Sequence, residues 1–259
     1  SRKHDIFFYD DNFAANRRRC RELLEAMIAE GLRFRWTTQV RADVARDPEL
    51  VALMKRAGCH TVFIGFESVN PRSLAAMKKA QSVEELDRAV GVLRRAGIHI
   101  HGMFVFGFDQ DDWSTVRATV RWAKKARLTS TQFLILTPLP GSEFYDRVAA
   151  EDRISFKDWS LYDAHHAVFR PARFSLYGLQ QAQILGHRKF YSLKEQVRRL
   201  VRGRWLSLSL GLYARSLNRK WQSRNRTFLK ALELLRPRRG AEVTVDYREK
   251  VVLDGPLKG

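Results

Sequence analysis

Apolar residues in the first half of the chain gather into five runs of strand length, at residues 5–9, 34–40, 61–67, 98–107 and 131–138. Their starts lie 29, 27, 37 and 33 residues apart. The intervening segments switch to helical spacing. Asp47 is placed to cap a helix with Pro48 at its first position, Leu50, Leu53, Met54 and Ala57 share one face, and Gly58 ends it. Ser82 and Glu85 form a capping box ahead of Leu86, Ala89, Val90 and Leu93, with Gly97 as the stop. Trp113, Val116, Val120 and Ala123 make a third such face. A strand, a helix and a second strand in about 30 residues is a βαβ unit, with a right-handed crossover. The series therefore predicts a parallel α/β sheet, either open or closing into a barrel.

Ligands of such sheets sit beyond the C-terminal ends of the strands. Charged or conformationally special residues stand at all five exits: Asp10-Asp11-Asn12, then Arg41 with Asp43, then Gly65-Phe66-Glu67-Ser68, then Gly107 through Asp112, then Pro138 through Ser142. Glu67 alternates in phase with Phe63 and Gly65, so the three face the same side. A carboxylate ending an apolar strand is costly unless a cation or hydroxyl meets it. Asp11 also suits a helix cap, Asp111 the cap of the helix starting at Trp113, Ser68 a turn through Pro71, and Arg41 an ion pair with Asp43. His99 and His101 share a strand face, as a hydrogen-bonded pair or as ligands lacking a third partner.

Composition narrows the classes. The chain has 259 residues with a formal net charge of +19 and 45% hydrophobic content, enough for a large core. The 2 cysteines, Cys20 and Cys59, exclude a disulfide scaffold and a four-cysteine metal site. They suit a cytoplasmic protein with free thiols. No secretory signal or membrane span is legible, and the missing initiator Met suggests a fragment or processed chain. Residues 1–150 carry 24 basic and 18 acidic side chains, whereas residues 188–239 hold 16 Lys/Arg against Glu195 and Glu233 alone. Three parts follow: a sheet domain at 1–150, a connection at 151–187, and a basic, mainly helical extension at 188–259.

Three ordered stretches give the chain a family resemblance: Phe8-Tyr9-Asp10-Asp11-Asn12-Phe13; Leu50 through Gly58-Cys59 to Gly65-Phe66-Glu67-Ser68; and Leu136-Thr137-Pro138-Leu139-Pro140-Gly141-Ser142. Over residues 5–148 it resembles the radical S-adenosylmethionine (SAM) superfamily, most closely the branch whose members often carry a cobalamin-binding domain ahead of the barrel. The resemblance implies a partial (β/α)6 barrel, of which these strands would be the second to sixth. The first strand and its cluster loop, with the CxxxCxxC thiolates that hold a 4Fe-4S cluster, would be missing. Neither Cys20 nor Cys59 has that spacing, so the chain by itself is expected to bind no cluster and to be inactive. The intact enzyme would cleave SAM with a 4Fe-4S cluster to start radical chemistry, such as cobalamin-dependent methylation or a rearrangement of a lipid-like or other small molecule.

The same resemblance assigns SAM-binding places. Asp10 or Asp11 would accept from the SAM amino group, Arg41 would hold its carboxylate, and Glu67 with Ser68 would meet the ribose or amine. Gly107, Leu136 and Pro138 would approach the adenine. No catalytic residue and no metal ligand is assigned. The chain departs from the family in reading Gly107-Phe108-Asp109-Gln110-Asp111-Asp112 where many members have Gly-x-Pro-x-Glu.

In the extension, Arg and Lys interleave with Leu, Trp, Tyr and Phe. Such helices pack on the barrel with a solvated basic face, lie on an anionic membrane, or bind nucleic acid. The aromatic-basic mix favours the membrane over nucleic acid. Leu206, Leu208, Leu210 and Leu212 alternate with Ser or Gly like a short strand, and residues 242–253 alternate like one or two more. The competing reading of the whole chain is a degenerate barrel without cluster chemistry, binding membrane or RNA through this segment. The oligomeric state is not legible.

Overall fold

The structure is a computed structural model that describes residues 5–77 and 81–235. In chain order the elements are β1 (Asp5–Phe8), α1 (Arg17–Ala29), β2 (Arg35–Gln39), α2 (Pro48–Arg56), β3 (Cys59–Glu67), α3 (Pro71–Ala76), α4 (Val83–Arg95), β4 (His99–Phe106), α5 (Trp113–Lys125), β5 (Ser130–Ile135), α6 (Glu143–Ala150), α7 (Leu176–Phe190), α8 (Leu193–Val201), α9 (Trp205–Arg224) and α10 (Arg226–Leu234). The strands form one sheet in the order β1-β2-β3-β4-β5. The β1–β2, β2–β3 and β3–β4 pairs are parallel. All five strands fall where the apolar runs predict them, and the α/β class and the partial-barrel architecture hold.

The chain divides into two compact units, Ser1–Phe104 with Arg121–Gln132, and Val105–Val120 with Phe133–Gly259. In the first unit, local chemistry sets each turn. Asp47 accepts from the Leu50 amide with Pro48 at the first position of α2, and the predicted capping box of Ser82 and Glu85 opens α4. Gly58 has φ +98°, and a Cβ there would lie 2.4 Å from the Phe34 carbonyl oxygen. Only glycine fits that turn. Beside it the buried Trp36 indole donates to the Ala57 carbonyl at 2.7 Å.

Alternation separates two faces of the sheet. On β4 the residues Ile100, Gly102, Phe104 and Phe106 are buried, while His99, His101, Met103 and Val105 are half-buried. The buried side forms the core, where Phe66, Phe104 and Trp122 pack edge and face. The half-buried side also carries Thr37, Gln39, Phe63, Gly65 and Glu67. That face is the one available to a ligand.

In the second unit, the Phe106 and Phe133 rings stack 5.6 Å apart, and Gly186 of α7 lies against both. The Phe133 amide donates to His187 Nε2 (3.3 Å), and the Ile135 amide to the Ala164 carbonyl (2.7 Å). These bonds satisfy backbone donors that an edge strand would expose. The Leu206–Leu212 stretch is helical, the start of α9, and so corrects the strand expectation. Its alternation with Ser and Gly also leaves Ser207 and Gly211 four apart on one helical face, and both are buried. The expected strands at 242–253 lie outside the described residues. Among the described residues, no helix is long and apolar enough to cross a membrane.

Candidate functional site

The site is built from the exits of the first three strands, which hydrogen bonds lace together. The Phe13 amide donates to the Gln39 carbonyl and the Val40 amide to the Phe63 carbonyl, both at 3.0 Å. Asn12 Oδ1 accepts from the Arg41 amide at 3.4 Å. Asn12 thus bridges the first exit to the second, a role the sequence pattern did not single out.

Asp10 and Asp11 are exposed. Neither caps α1: that role belongs to Asn16, whose side chain accepts from the Arg19 amide at 3.0 Å. The cap expected of Asp11 is therefore corrected, and both carboxylates remain open to solvent. Arg41 is exposed too, with no ion pair to Asp43. It lines a cleft of about 150 Å³ together with Asp43, Arg46, Glu85 and Arg88.

Glu67 ends β3 with φ +60°, a conformation that side chains other than glycine rarely take, beside a register shift between Gly65 and Glu67. A Cβ built on Gly65 would lie 2.5 Å from Glu67 Oε1. The missing side chain at Gly65 thus makes room for the Glu67 carboxylate, which folds back over the half-buried face. Ser68 is buried and its hydroxyl accepts from the Asn70 amide at 3.0 Å, the turn role. Asn70 in turn caps α3.

The fourth exit works within the second unit. Gly107 has φ +119°, and a Cβ there would meet Leu136 and Leu179, each at 3.3 Å. Asp111 is fully buried and accepts from the Gly107 and Phe108 amides, both at 3.2 Å. The cap of α5 is Asp112, whose Oδ1 accepts from the Ser114 amide at 2.7 Å and the Thr115 amide at 3.1 Å. The capping role expected of Asp111 thus moves one residue on, and Asp111 holds the glycine turn instead. Asp109, unassigned from sequence, pairs with the buried Arg153, which also bonds Glu151 and the Arg170 carbonyl. At the fifth exit the Leu136 amide donates to the Phe106 carbonyl at 2.8 Å, and Pro138 is buried.

The histidines resolve as hydrogen-bonded side chains. His101 Nδ1 lies 2.8 Å from the Ser130 hydroxyl, and its ring packs on Phe63 at 4.4 Å. Burial pushes its pKa down to about 4, so at neutral pH it is an uncharged part of that face. His99 lies 3.3 Å from the Thr129 hydroxyl, and its ring sits tilted against that of His60, 4.8 Å between centroids.

A 4Fe-4S cluster does not fit the residues present. Cys20 and Cys59 are buried, and burial pushes their thiols up to about 11 and about 12, against the thiolate a metal requires. Among the described residues, no group of three metal-ligating side chains comes together. The exposed carboxylates and guanidinium of the first unit do suit the ammonium and carboxylate ends of an amino acid such as the methionine part of SAM.

A profile of the Radical SAM superfamily matches residues 1–147. The chain is 34% identical over 167 residues to bacteriochlorophyllide d C-12(1)-methyltransferase of Chlorobaculum tepidum, covering 64% of this chain and 36% of that protein. It is 31% identical over 171 residues to an uncharacterized methyltransferase of Pyrococcus horikoshii, PH0819, covering 66% and 37%. Among solved structures it resembles the radical SAM methyltransferase TsrM of Kitasatospora setae, a structure with cobalamin and a [4Fe-4S] cluster bound, at a TM-score of 0.52 and 23% identity over 57% of this chain and 29% of that one. The chain belongs to the radical SAM superfamily. It spans little more than a third of the length of these curated relatives.

Proposed function

We propose that the protein of which this chain forms part is a radical SAM enzyme that methylates an unactivated carbon of an apolar small molecule, with cobalamin as the methyl carrier. The observation that carries this reading is the lacing of three strand exits, which carry exposed Asp10, Asp11 and Arg41 and the Glu67 carboxylate folded back over Gly65, in a chain matched to the family over residues 1–147. The methyltransferase relatives support methylation, and the bacteriochlorophyllide d relative supports an apolar substrate. SAM, the cluster and cobalamin would supply the radical and methyl chemistry. The cluster's ligands would have to come from outside these 259 residues.

The chain's own residues bind and position. Asp10 or Asp11 meets the SAM ammonium, Arg41 its carboxylate, and Glu67 a ribose hydroxyl or the amine, with Ser68 setting the turn behind it. Taken by itself, the second unit carries Gly107, Leu136 and Pro138, for which we propose backbone contacts to an adenine, as the family pattern implies. The Leu136 amide is already committed to Phe106, so the carbonyl side of that backbone is what remains to a base. The reading extends to peripheral membrane contact, supported by exposed apolar and basic side chains of α8 and α9.

Calorimetric SAM binding to the full-length protein tests this assignment. Glu67→Gln keeps the side-chain size and should weaken binding about tenfold, the loss of one charge-assisted hydrogen bond. Unchanged affinity in both Glu67→Gln and Arg41→Gln would remove the site from these exits.

A further inference from the structure

Helix α8 is built inside out. Its buried side carries Glu195, Gln196 and Arg199, whereas Leu193, Val197 and Val201, spaced four apart on the opposite side, are 64%, 60% and 81% exposed. Trp205, which opens α9 after the Gly203 turn, is 66% exposed, and Leu212 and Tyr213 continue its row at helical spacing. An ordinary surface helix has the reverse arrangement.

The inward side is tightly held. Arg199 is 1% exposed, donates to the Ser207 carbonyl at 2.7 Å and lies over the Phe190 ring at 4.8 Å. The two amide atoms of Gln196 are buried without a hydrogen-bond partner. A structure that buries such groups while leaving a row of aliphatic side chains in water is arranged for a surface that covers the row.

Charge identifies that surface. Lys194, Arg198 and Arg202 are exposed beside the aliphatic row. The sole acidic residue of α8, Glu195, is buried and paired with Arg198 at 2.8 Å. A second copy of the same face would bring like charges together. A nucleic-acid backbone would meet the cations but gain nothing from the aliphatic row. An anionic lipid surface satisfies both: headgroups meet the cations, and the row enters the interface, with Trp205 at the level its amphipathic ring prefers.

We propose that the α8–α9 hairpin is a peripheral membrane-docking element for anionic bilayers, inserting Leu193, Val197, Val201 and Trp205. This deepens the reading that the protein meets a membrane, and it does not depend on the chemistry at the strand exits.

Vesicle co-sedimentation of the full-length protein tests it, with phosphatidylcholine vesicles alone and with vesicles containing phosphatidylglycerol. Binding is expected to the anionic vesicles and to fall steeply with added salt. Lys194→Glu/Arg202→Glu should lower partitioning by well over the roughly fivefold that one interfacial cation contributes. Val197→Asp/Val201→Asp should lower it about tenfold or more, with the circular dichroism of the wild type retained. No binding to anionic vesicles, or equal binding by Val197→Asp/Val201→Asp, would overturn the proposal. So would a concentration-dependent dimer in sedimentation equilibrium that this same pair of substitutions breaks, since the row would then face a second copy. Loss of SAM binding in a protein that still sediments with vesicles would count against the strand-exit assignment alone.

Discussion

Asn16 and Asp112, not Asp11 and Asp111, cap their helices. Both misplacements have one cause. Any Asn or Asp in a short loop can accept from a helix's first amides, and which one does depends on where the loop leaves the strand, which composition does not reveal. The consequence differs between the two. Asp11 is left exposed to solvent, while Asp111 becomes a buried acceptor for the Gly107 and Phe108 amides. Asp111→Ala should orphan those donors and cost about 1–3 kcal/mol of stability, read by thermal or urea unfolding. A neutral effect would mean the turn holds itself. His101 gives a pH prediction. Its folded pKa, lowered to about 4 by burial, lies below the unfolded value near 6.5. Below pH ~6.5 the unfolded chain takes up a proton that the folded state refuses, so stability declines from there and levels off near pH ~4, by about 3 kcal/mol. His101→Gln should flatten that acid limb. An unchanged limb would place the acid sensitivity elsewhere.

The strands were legible as elements because each is a short apolar run between strong punctuators such as Gly58 and Gly97, and alternation along β3 and β4 told one face from the other. The extension was less legible. Leu206 to Leu212 satisfies a period of two, yet it forms α9, because Ser207 and Gly211 give α8 a close approach that alternation does not register. A Cβ at Gly211 would lie 2.3 Å from Gln196 Oε1 and 2.8 Å from Arg199 Nη1. Gly211→Leu should therefore destabilise the α8–α9 packing by about 1–3 kcal/mol, although leucine is intrinsically the better helix former. A rise in unfolding midpoint would show that the helices do not pack there. His187 was equally hidden. Its use, accepting the Phe133 amide of β5, depends on α7 arriving at that strand from 54 residues along the chain.

At the scale of the molecule, the sequence carries two messages of different kinds. The ordered strand exits carry the family, and the matched residues 1–147 bear that out. The concentration of positive charge in residues 188–239 says nothing of the reaction; on α8, Lys194, Arg198 and Arg202 are exposed beside the aliphatic row. The two buried, poorly ionised cysteines mark what these 259 residues do not supply to the chemistry. The central claim is that the protein containing this chain performs SAM-based radical chemistry at these strand exits. It is tested most directly by reconstituting the full-length protein with iron and sulfide under anaerobic conditions, adding a one-electron reductant and SAM, and assaying SAM cleavage to 5′-deoxyadenosine and methionine. The account predicts cleavage that Glu67→Gln reduces. A wild-type protein that folds, is supplied with iron and sulfide, and leaves SAM intact would contradict it.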